Sequence, residues 1–374
     1  MGENIDISRQ DDWKWTFRSS HVATELGEAP QRLLEHAQLI KKNPVRNVFF
    51  TGEYYIKLDK RSANHLRREW KCAELVEKRH LPVVEYMAIG VSSHGELIIT
   101  RALKESVSVK DWLAKMICSD ATRKEVLPYA EHYAKFVRMV IEARIFHPDF
   151  HVGNVLFIPA TWEFVLVDVS EIRRAFFFDK MIHAWKMQGS VMSFQRLLER
   201  EDMLHLLELT GTNKPEKTWC KLLMESSKHL FHSWKKRSHQ LLEGHPRYSL
   251  RDGNWMRMVD ALGKPKTCRQ RVTMTTSNID DSTKFALADF FLQLANIPHQ
   301  QLLAWNTKTG EIEKENCVME PVDELPTDLL ERLNTLNLRT SLTQWGRRAD
   351  GKILLMDFTS VFERLHLDNS ILNP

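Results

Sequence analysis

Three residues stand at a spacing that could do chemistry. Asp149 and Asn154 lie five residues apart in His147-Pro148-Asp149-Phe150-His151-Val152-Gly153-Asn154, and Asp168 closes the apolar run Phe164-Val165-Leu166-Val167 fourteen residues after the Asn. Such a set suits metal-dependent phosphoryl transfer. One carboxylate takes the proton of an acceptor hydroxyl, while the amide oxygen and the later carboxylate hold magnesium ions against nucleotide phosphates.

The elements that must position these groups are legible on either side. Tyr129, Tyr133, Phe136, Val137, Val140 and Ile141 recur at helical spacing and predict a helix with one continuous apolar face, running into a tight loop with Asp149 and Asn154. A hairpin then returns Asp168 at the end of a buried strand. Upstream, residues 47–58 alternate around Thr51-Gly52-Glu53, predicting a hairpin of Val48-Phe49-Phe50 with Tyr54-Tyr55-Ile56-Lys57-Leu58. Lys57 sits between apolar neighbours near the end of the second strand. The next helix, about Ser62 to Arg79, carries Glu69 and also Glu74 and Glu77. A lysine here can neutralise a nucleotide's inner phosphates when a glutamate holds it in place.

The pattern His147-x-Asp149-x-x-x-x-Asn154 resembles the H-R-D-x-x-x-x-N loop of the protein-kinase-like fold, with Asp168 where such kinases carry the Asp of D-F-G. Pro148 in place of Arg, and Val169-Ser170 in place of Phe-Gly, point away from ordinary Ser/Thr/Tyr kinases. His151 resembles the second histidine of H-G-D-x-H-x-x-N in aminoglycoside and other small-molecule phosphotransferases. Lys57, the Arg67-Arg68-Glu69 stretch and the turn His80-Leu81-Pro82-Val83-Val84 make the chain most similar to the bacterial lipopolysaccharide core kinases, which phosphorylate Kdo or heptose sugars.

That resemblance implies an α+β, two-lobed fold with an antiparallel sheet in the first lobe (residues 1–103) and a helical second lobe (104–243). It implies ATP and Mg2+ as cofactors, with Lys57 and Glu69 toward the nucleotide, Asn154 and Asp168 toward the metal, and Asp149 and His151 as catalytic residues. The implied partner is a glycolipid or sugar acceptor. The implied location is the cytoplasm, with peripheral contact to the inner membrane surface. Two features depart from the pattern. No G-x-G-x-x-G precedes Lys57, the only glycine of that region being Gly52, and no A-P-E follows Asp168.

Composition narrows the classes. The chain has 374 residues, 43% of them hydrophobic, which is enough for a sizeable core. Lys and Arg number 53 against 49 Asp and Glu, a net +4, so no nucleic-acid partner is implied. The cysteines at 72, 118, 220, 268 and 317 form no C-x-x-C pair, which suits a reducing compartment. The opening Met1-Gly2-Glu3-Asn4-Ile5-Asp6 is acidic, and no run approaches the roughly 20 apolar residues that span a bilayer.

Elsewhere the expectations are coarser. Residues 11–26 read as edge strands or a cap, 28–41 as a helix from Leu33, Leu34, Ala37, Leu39 and Ile40, Glu96 to Leu103 as a strand, and Ser108 to Met116 as a helix capped by Ser108. A polar crossing containing Pro128 is expected before the helix at Tyr129. From Phe176 to about His239 the pattern is helical. Its close, Ser227 to Arg237, interleaves cations with Leu230, Phe231 and Trp234, and could either lie on anionic headgroups or pack those aromatics inward. Arg173 and Arg174 could face an anionic sugar or water.

Residues 244–374 follow a linker predicted near 243–250. Leu294 to Ala304 echoes Lys78 to Ala88 at an offset of 216, and Ile353 to Thr359 echoes Phe164 to Ser170. This predicts a degenerate second kinase-like copy, mainly of the first lobe. In it Lys57 maps to Thr273 and Glu69 to Phe285, and no H-x-D-x-x-x-x-N precedes Asp357. Three functions follow from these features: a kinase of lipopolysaccharide core or related glycolipid sugars, an aminoglycoside-type phosphotransferase, or a non-catalytic pseudokinase.

Overall fold

The computed structural model describes residues 12–59, 64–93, 95–119, 121–174, 180–260, 264–266, 271–276, 279–295, 297–336, 338, 340–358, 361 and 365. Ser62, Phe176, Gly263, Cys268 and Thr359 of the sequence reading, with the acidic opening at residues 1–6, lie outside them. The protein is a mixed α+β chain of antiparallel sheets and helices. It divides into two compact units, residues 1–112, 129–193 and 209–211 in the first and 113–128, 194–208 and 212–374 in the second.

The first unit begins with β1 (Lys14–Phe17), α1 (Ser20–Leu26) and a 3-10 turn (Pro30–His36), followed by β2 (Gln38–Lys42), β3 (Arg46–Phe50) and β4 (Tyr54–Asp59). The helix expected over 28–41 is therefore a short 3-10 turn and a strand. Leu39 is drawn into pairing with β3 opposite Phe49, Ile40 sits at the irregularity before Lys41 pairs Val48, and ladder bonding outweighs a brief helical periodicity. The hairpin around Gly52 forms where expected, with Gly52 at φ 95 and Thr51 Oγ1 accepting the Tyr54 N–H. Helix α2 (His65–Glu77) then leads to β5 (Tyr86–Ser92) and β6 (Gly95–Arg101), completing one sheet in the order β1-β5-β6-β4-β3-β2. Tyr54, Ile56 and Leu58 alternate into its core with Met87, Leu97 and Ile99.

Next come β7 (Val107–Ser108), α3 (Val109–Cys118) and α4 (Arg123–Glu142). Ser108 Oγ accepts the Asp111 N–H, the cap read from sequence. Pro128 lies inside α4 rather than before it. One missing N–H near a helix start costs a single bond, and Glu125 closes that first turn by accepting from Thr122. The buried face of α4 holds Tyr129, Tyr133, Phe136, Val137 and Val140. Burial of each such side chain stabilises by roughly 1.5–3 kcal/mol. Phe164 meets Tyr129, Tyr133 and Phe136 in ring contacts. The helix is followed by β8 (Ile145–Phe146), a 3-10 turn (Val152–Asn154), the hairpin β9 (Val155–Ile158) with β10 (Glu163–Leu166), β11 (Arg173–Arg174) and α5 (Lys180–Gln188). Strand β7 joins that hairpin in the order β10-β9-β7, and β11 pairs β8.

The second unit holds α6 (Arg200–Leu209) and the long α7 (Pro215–Leu242), which turns at once into β12 (Ser249–Asp252) and β13 (Trp255–Met258). The linker expected near 243–250 is a tight turn inside this unit, fixed by bonds such as His245 N–H to Gln240 O. Leu230 and Trp234 are buried in the unit's core and Phe231 packs against it, so the aromatics of the basic stretch face inward while Lys235 and Lys236 face water. Among the described residues no helix is long and apolar enough to cross a membrane.

Beyond β13, four elements of the second unit come in an order that the first unit also shows. Strand β14 (Arg271–Thr275), α8 (Ile279–Ala295), β15 (Leu302–Asn306) and β16 (Glu311–Glu315) follow the sequence β4, α2, β5, β6. In both, the strand before the helix pairs the second strand of the hairpin after it, giving β4-β6-β5 and β14-β16-β15. Further on the likeness is partial, because the first unit places two helices and β8 between β7 and its hairpin and the second places one helix. Strand β17 (Met319–Glu320), α9 (Thr327–Leu336), a 3-10 turn (Leu342–Gln344) and the hairpin β18 (Trp345–Arg348) with β19 (Ile353–Leu355) follow, and β19-β18-β17 has the order of β10-β9-β7.

Backbone bonds match as well. Leu166 donates to Pro82 O at 2.9 Å and accepts from Val84 N at 3.1 Å, as Leu355 does with Pro298 O and Gln300 N at 3.0 Å each. Val167 N–H reaches Asn154 O at 3.0 Å, and Met356 N–H reaches Gln344 O at 2.8 Å.

Candidate active site

Lys57 occupies β4 between β3 and β6, opposite Val48 and Ile98. Its neighbours Ile56 and Leu58 point into the apolar core, which turns the Lys57 side chain to the other face of the sheet. There α2 presents Glu69, fully buried, and Lys57 Nζ lies 2.6 Å from Glu69 Oε1. Tyr86 Oη of β5 donates to the same oxygen at 2.9 Å. The third contact of Lys57 is Asp168 Oδ1, at 3.1 Å. Residues 57, 69 and 168, drawn from strand, helix and the segment after a hairpin, thus meet at one ammonium.

The charges hold one another. Burial disfavours the Lys57 ammonium, but Glu69 and then Asp168 outweigh it and raise its pKa above the ordinary lysine value. Burial likewise pushes the Asp168 carboxyl up, yet Lys57, with Arg46 and His147, pulls it below the usual carboxylate range. Both therefore carry charge at neutral pH. Asp168 also adopts φ 53, the left-handed region that costs a non-glycine residue of order 1 kcal/mol. Asp tolerates it better than most, and the turn carries the carboxylate out of the strand toward Lys57.

The loop from 147 to 154 presents the other groups. His147 is buried against Phe150, and burial lowers its pKa, so the ring is a neutral underlay to the loop. Asp149 is exposed. Asn154 Nδ2 donates to Asp149 O at 3.0 Å and to Asp149 Oδ2 at 3.2 Å, orienting the carboxylate. The Val167 N–H to Asn154 O bond ties Asn154 to the strand end that carries Asp168. His151 caps the 3-10 turn, its Nδ1 accepting the Gly153 N–H at 2.9 Å, which leaves Nε2 as the protonated nitrogen of the neutral ring, 3.5 Å from Asp149 Oδ2. A Cβ at Gly153 would stand 2.8 Å from His151 Cε1, so the cap needs glycine there.

All six residues singled out in the sequence therefore lie in one unit, in two joined clusters: Lys57, Glu69 and Asp168 around the ammonium, and Asp149, His151 and Asn154 in the loop. The donors fit a magnesium ion. With Asn154 Nδ2 turned to Asp149, the amide Oδ1 keeps its lone pairs, and Asp168 is half exposed. Magnesium takes oxygen from one or two protein groups and the rest from water and phosphate. Among the described residues no three His, Cys, Asp or Glu side chains gather as a cage of their own.

Three groups near this site escaped the sequence reading. Tyr86 shares Glu69 with Lys57, and nothing in its local pattern marks it. Arg46 and Lys41 line, with Val48, Lys57, Val167 and Asp168, a cavity of about 410 Å³ on that face of the sheet. Their signal was the basic run Lys41-Lys42-Asn43-Pro44-Val45-Arg46 around a turn residue.

No family model matches the chain, and no curated protein does. One solved structure with a likeness is WaaP in complex with acyl carrier protein, at 15% identity and a TM-score of 0.42, over 55% of this chain and 91% of that one.

Proposed function

We propose that the chain is an ATP- and magnesium-dependent phosphotransferase whose acceptor is a hydroxyl group, with residues 57–168 carrying the reaction. The single observation that carries this reading is Lys57 held between Glu69 and Asp168, at 2.6 and 3.1 Å, beside a loop in which Asn154 orients Asp149. A lysine so paired is fixed in place yet one-sided, and can turn its remaining N–H to a phosphate oxygen.

In this reading each group acts by position. Lys57 neutralises the nucleotide's phosphates, and Glu69 and Tyr86 keep it from swinging away. Asn154 Oδ1 and Asp168 hold magnesium, which when bound supplies positive charge against the phosphate oxygens. Asp149 Oδ2 accepts the proton of the attacking hydroxyl. His151 steadies Asp149 through its Nε2 and shapes the loop through Nδ1, which makes it a positioning residue.

The acceptor class follows from neighbouring charge. Strand β11 lays exposed Arg173 and Arg174 beside Phe146 and Ile145, immediately before the 147–154 loop. Two guanidinium groups there favour an anionic acceptor over a cationic aminoglycoside. Together with the resemblance of the loop to the core-sugar kinases, this supports a sugar of lipopolysaccharide core or a related glycolipid, met at the cytoplasmic face of the inner membrane.

The second unit, in this reading, is a copy of the same frame that has lost the chemistry. The order of β14, α8, β15 and β16 and the hairpin of β18 with β19 support a copy reaching past the first lobe. Gln344 stands at the place of Asn154 and Asp357 at that of Asp168, while Arg339 takes the place of Asp149 in the sequence.

The test is to incubate the purified protein with labelled ATP, magnesium and a panel of core glycolipids beside aminoglycosides. Wild type labels a glycolipid, and Asp149→Ala loses transfer by about 10²- to 10⁴-fold while keeping nucleotide binding. Nucleotide binding without transfer to any acceptor would make the chain a pseudokinase.

A further inference from the structure

Building on the phosphotransferase reading, we infer that Arg46 and Lys41 grip the nucleotide's phosphate chain with side chains, in place of the backbone amides of a glycine-rich loop. The turn between β2 and β3 is where such amides would come from. Here none is free. Pro44 has no N–H, and Asn43 N–H is bonded to Arg46 O at 3.1 Å. The Val45 and Arg46 N–H groups both donate to Asn43 Oδ1, at 3.1 and 2.5 Å. An Asx turn has consumed every donor that a phosphate would need.

The same hairpin supplies cations instead. Lys41 pairs Val48, and Val48 pairs Lys57, so the three lie in one cross-strand row. Residues in register across strands share a face, and Lys41 and Lys57 stand two strand spacings apart, roughly 10 Å. Arg46 lies two residues from Val48 on the same strand, hence on the same face, and all four line the cavity that holds Asp168. Val48 forms an apolar floor between three positive side chains.

Arg46 is held but not used up. Its guanidinium stands 3.9 Å from Glu69 Oε2 and 4.0 Å from Asp59 Oδ2, both carboxylates fully buried. Those distances balance charge without a hydrogen bond, and the guanidinium makes none to a described residue. A fork of free N–H donors, kept in the cavity by two buried carboxylates, suits bidentate contact with phosphate oxygens. The ligand class is a nucleoside di- or triphosphate. Lys57 meets the phosphates nearest Asp168, Arg46 stands beside it, and Lys41 lies at the far end of the row.

The experiment is titration calorimetry of the full chain with ATP, ADP and AMP in magnesium buffer, with the melting temperature of each ligand-free variant as a fold check. Arg46→Ala weakens ATP and ADP binding by about tenfold or more, the size expected for lost charge-assisted hydrogen bonds. AMP binding stays within about twofold. Lys41→Ala, at an exposed position, weakens ATP by a few-fold. Arg46→Gln keeps a polar group beside Asp59 and Glu69, and Arg46→Lys restores part of the affinity, so the test survives an Arg46→Ala protein that does not fold. Wild-type ATP affinity in Arg46→Gln and Lys41→Ala would overturn the inference and leave the phosphotransferase reading standing. No ATP binding by wild type would overturn both.

Discussion

The hairpin at 155–166 and the hairpin at 345–355 have the same frame and different side chains. Each follows a 3-10 turn, each is crossed on one edge by a two-residue strand, and each docks its second strand on a proline turn through the same pair of backbone bonds. In the first, the turn ends in Asn154, and Asp168 adopts φ 53 and meets Lys57. In the second, Gln344 Nε2 reaches Asp357 Oδ2 at 3.4 Å, and among the described residues the left-handed turn seen at Asp168 does not recur at Asp357. Strand β14, which precedes α8 as β4 precedes α2, carries Thr273 and Met274 where β4 carries Lys57.

The helices differ in the same way. Glu69 of α2 spends its carboxylate on Lys57, which lines the cavity, and on buried Tyr86. Asp289 of α8 spends its own on His299 Nε2 at 3.0 Å, the Leu302 N–H at 2.8 Å and Lys266 at 3.7 Å. That acid knits the interior of its unit. Apolar contacts and backbone bonds hold the second hairpin without such a cluster.

The largest effect that separates the two regions is on transfer. Asp168→Asn should lower phosphoryl transfer by roughly 10³-fold, the scale of removing a group aimed at transition-state charge. Asp357→Asn should leave the rate within about twofold. Side-by-side rates on one glycolipid acceptor decide it, and equal losses in both variants would mean that the second frame also takes part.

A smaller effect contrasts the two buried acids. Glu69→Gln leaves Lys57 with Asp168 alone, and Asp289→Asn leaves buried Lys266 without its counter-charge and weakens the contact with His299. Breaking either set costs about 3 kcal/mol of stability. Only Glu69→Gln should also weaken nucleotide binding. Denaturant unfolding paired with calorimetry reads both quantities, and a loss of ATP affinity in Asp289→Asn would erase the distinction drawn between α2 and α8.

Much of the first region was legible in the sequence because its chemistry is local. Asp149, His151 and Asn154 share an eight-residue loop, and Lys57 sits in a hairpin announced by Gly52. The Lys57 to Glu69 contact could be read from strand followed by helix. Tyr86 and Arg46 could not, because their partner Glu69 is reached through sheet order rather than through spacing. The helix expected over 28–41 failed for the same cause, since pairing with β3 fixes β2 from outside. In the second region the proline turn and the apolar strand before Asp357 echoed in sequence. The 3-10 turn and β17 did not: the turn rests on a capping box of Ser341 with Gln344, and β17 on a two-residue ladder that many side chains permit.

The smallest effect is on acid stability. Burial pushes the Asp289 carboxyl up, but Lys266 and His299, with the bonds from His299 and Leu302, bring it down from 3.8 to about 2. A carboxyl whose folded pKa lies below its unfolded one binds its proton more readily when unfolded. Its stabilising contribution is therefore complete above the unfolded value, and is lost as pH falls from near 3.8 through about 2. Asp168 is also lowered, chiefly by Lys57 acting against burial, and its contribution fades in the same direction. Asp168 is half exposed whereas Asp289 is fully buried, so solvent screens the first more than the second. Thermal melts from pH 5 to pH 2 should thus fall less steeply in Asp289→Asn than in wild type, with a smaller flattening in Asp168→Asn. Equal flattening would place the two acids in equivalent surroundings, and would undo the contrast between a carboxylate kept for a ligand and one spent on the fold.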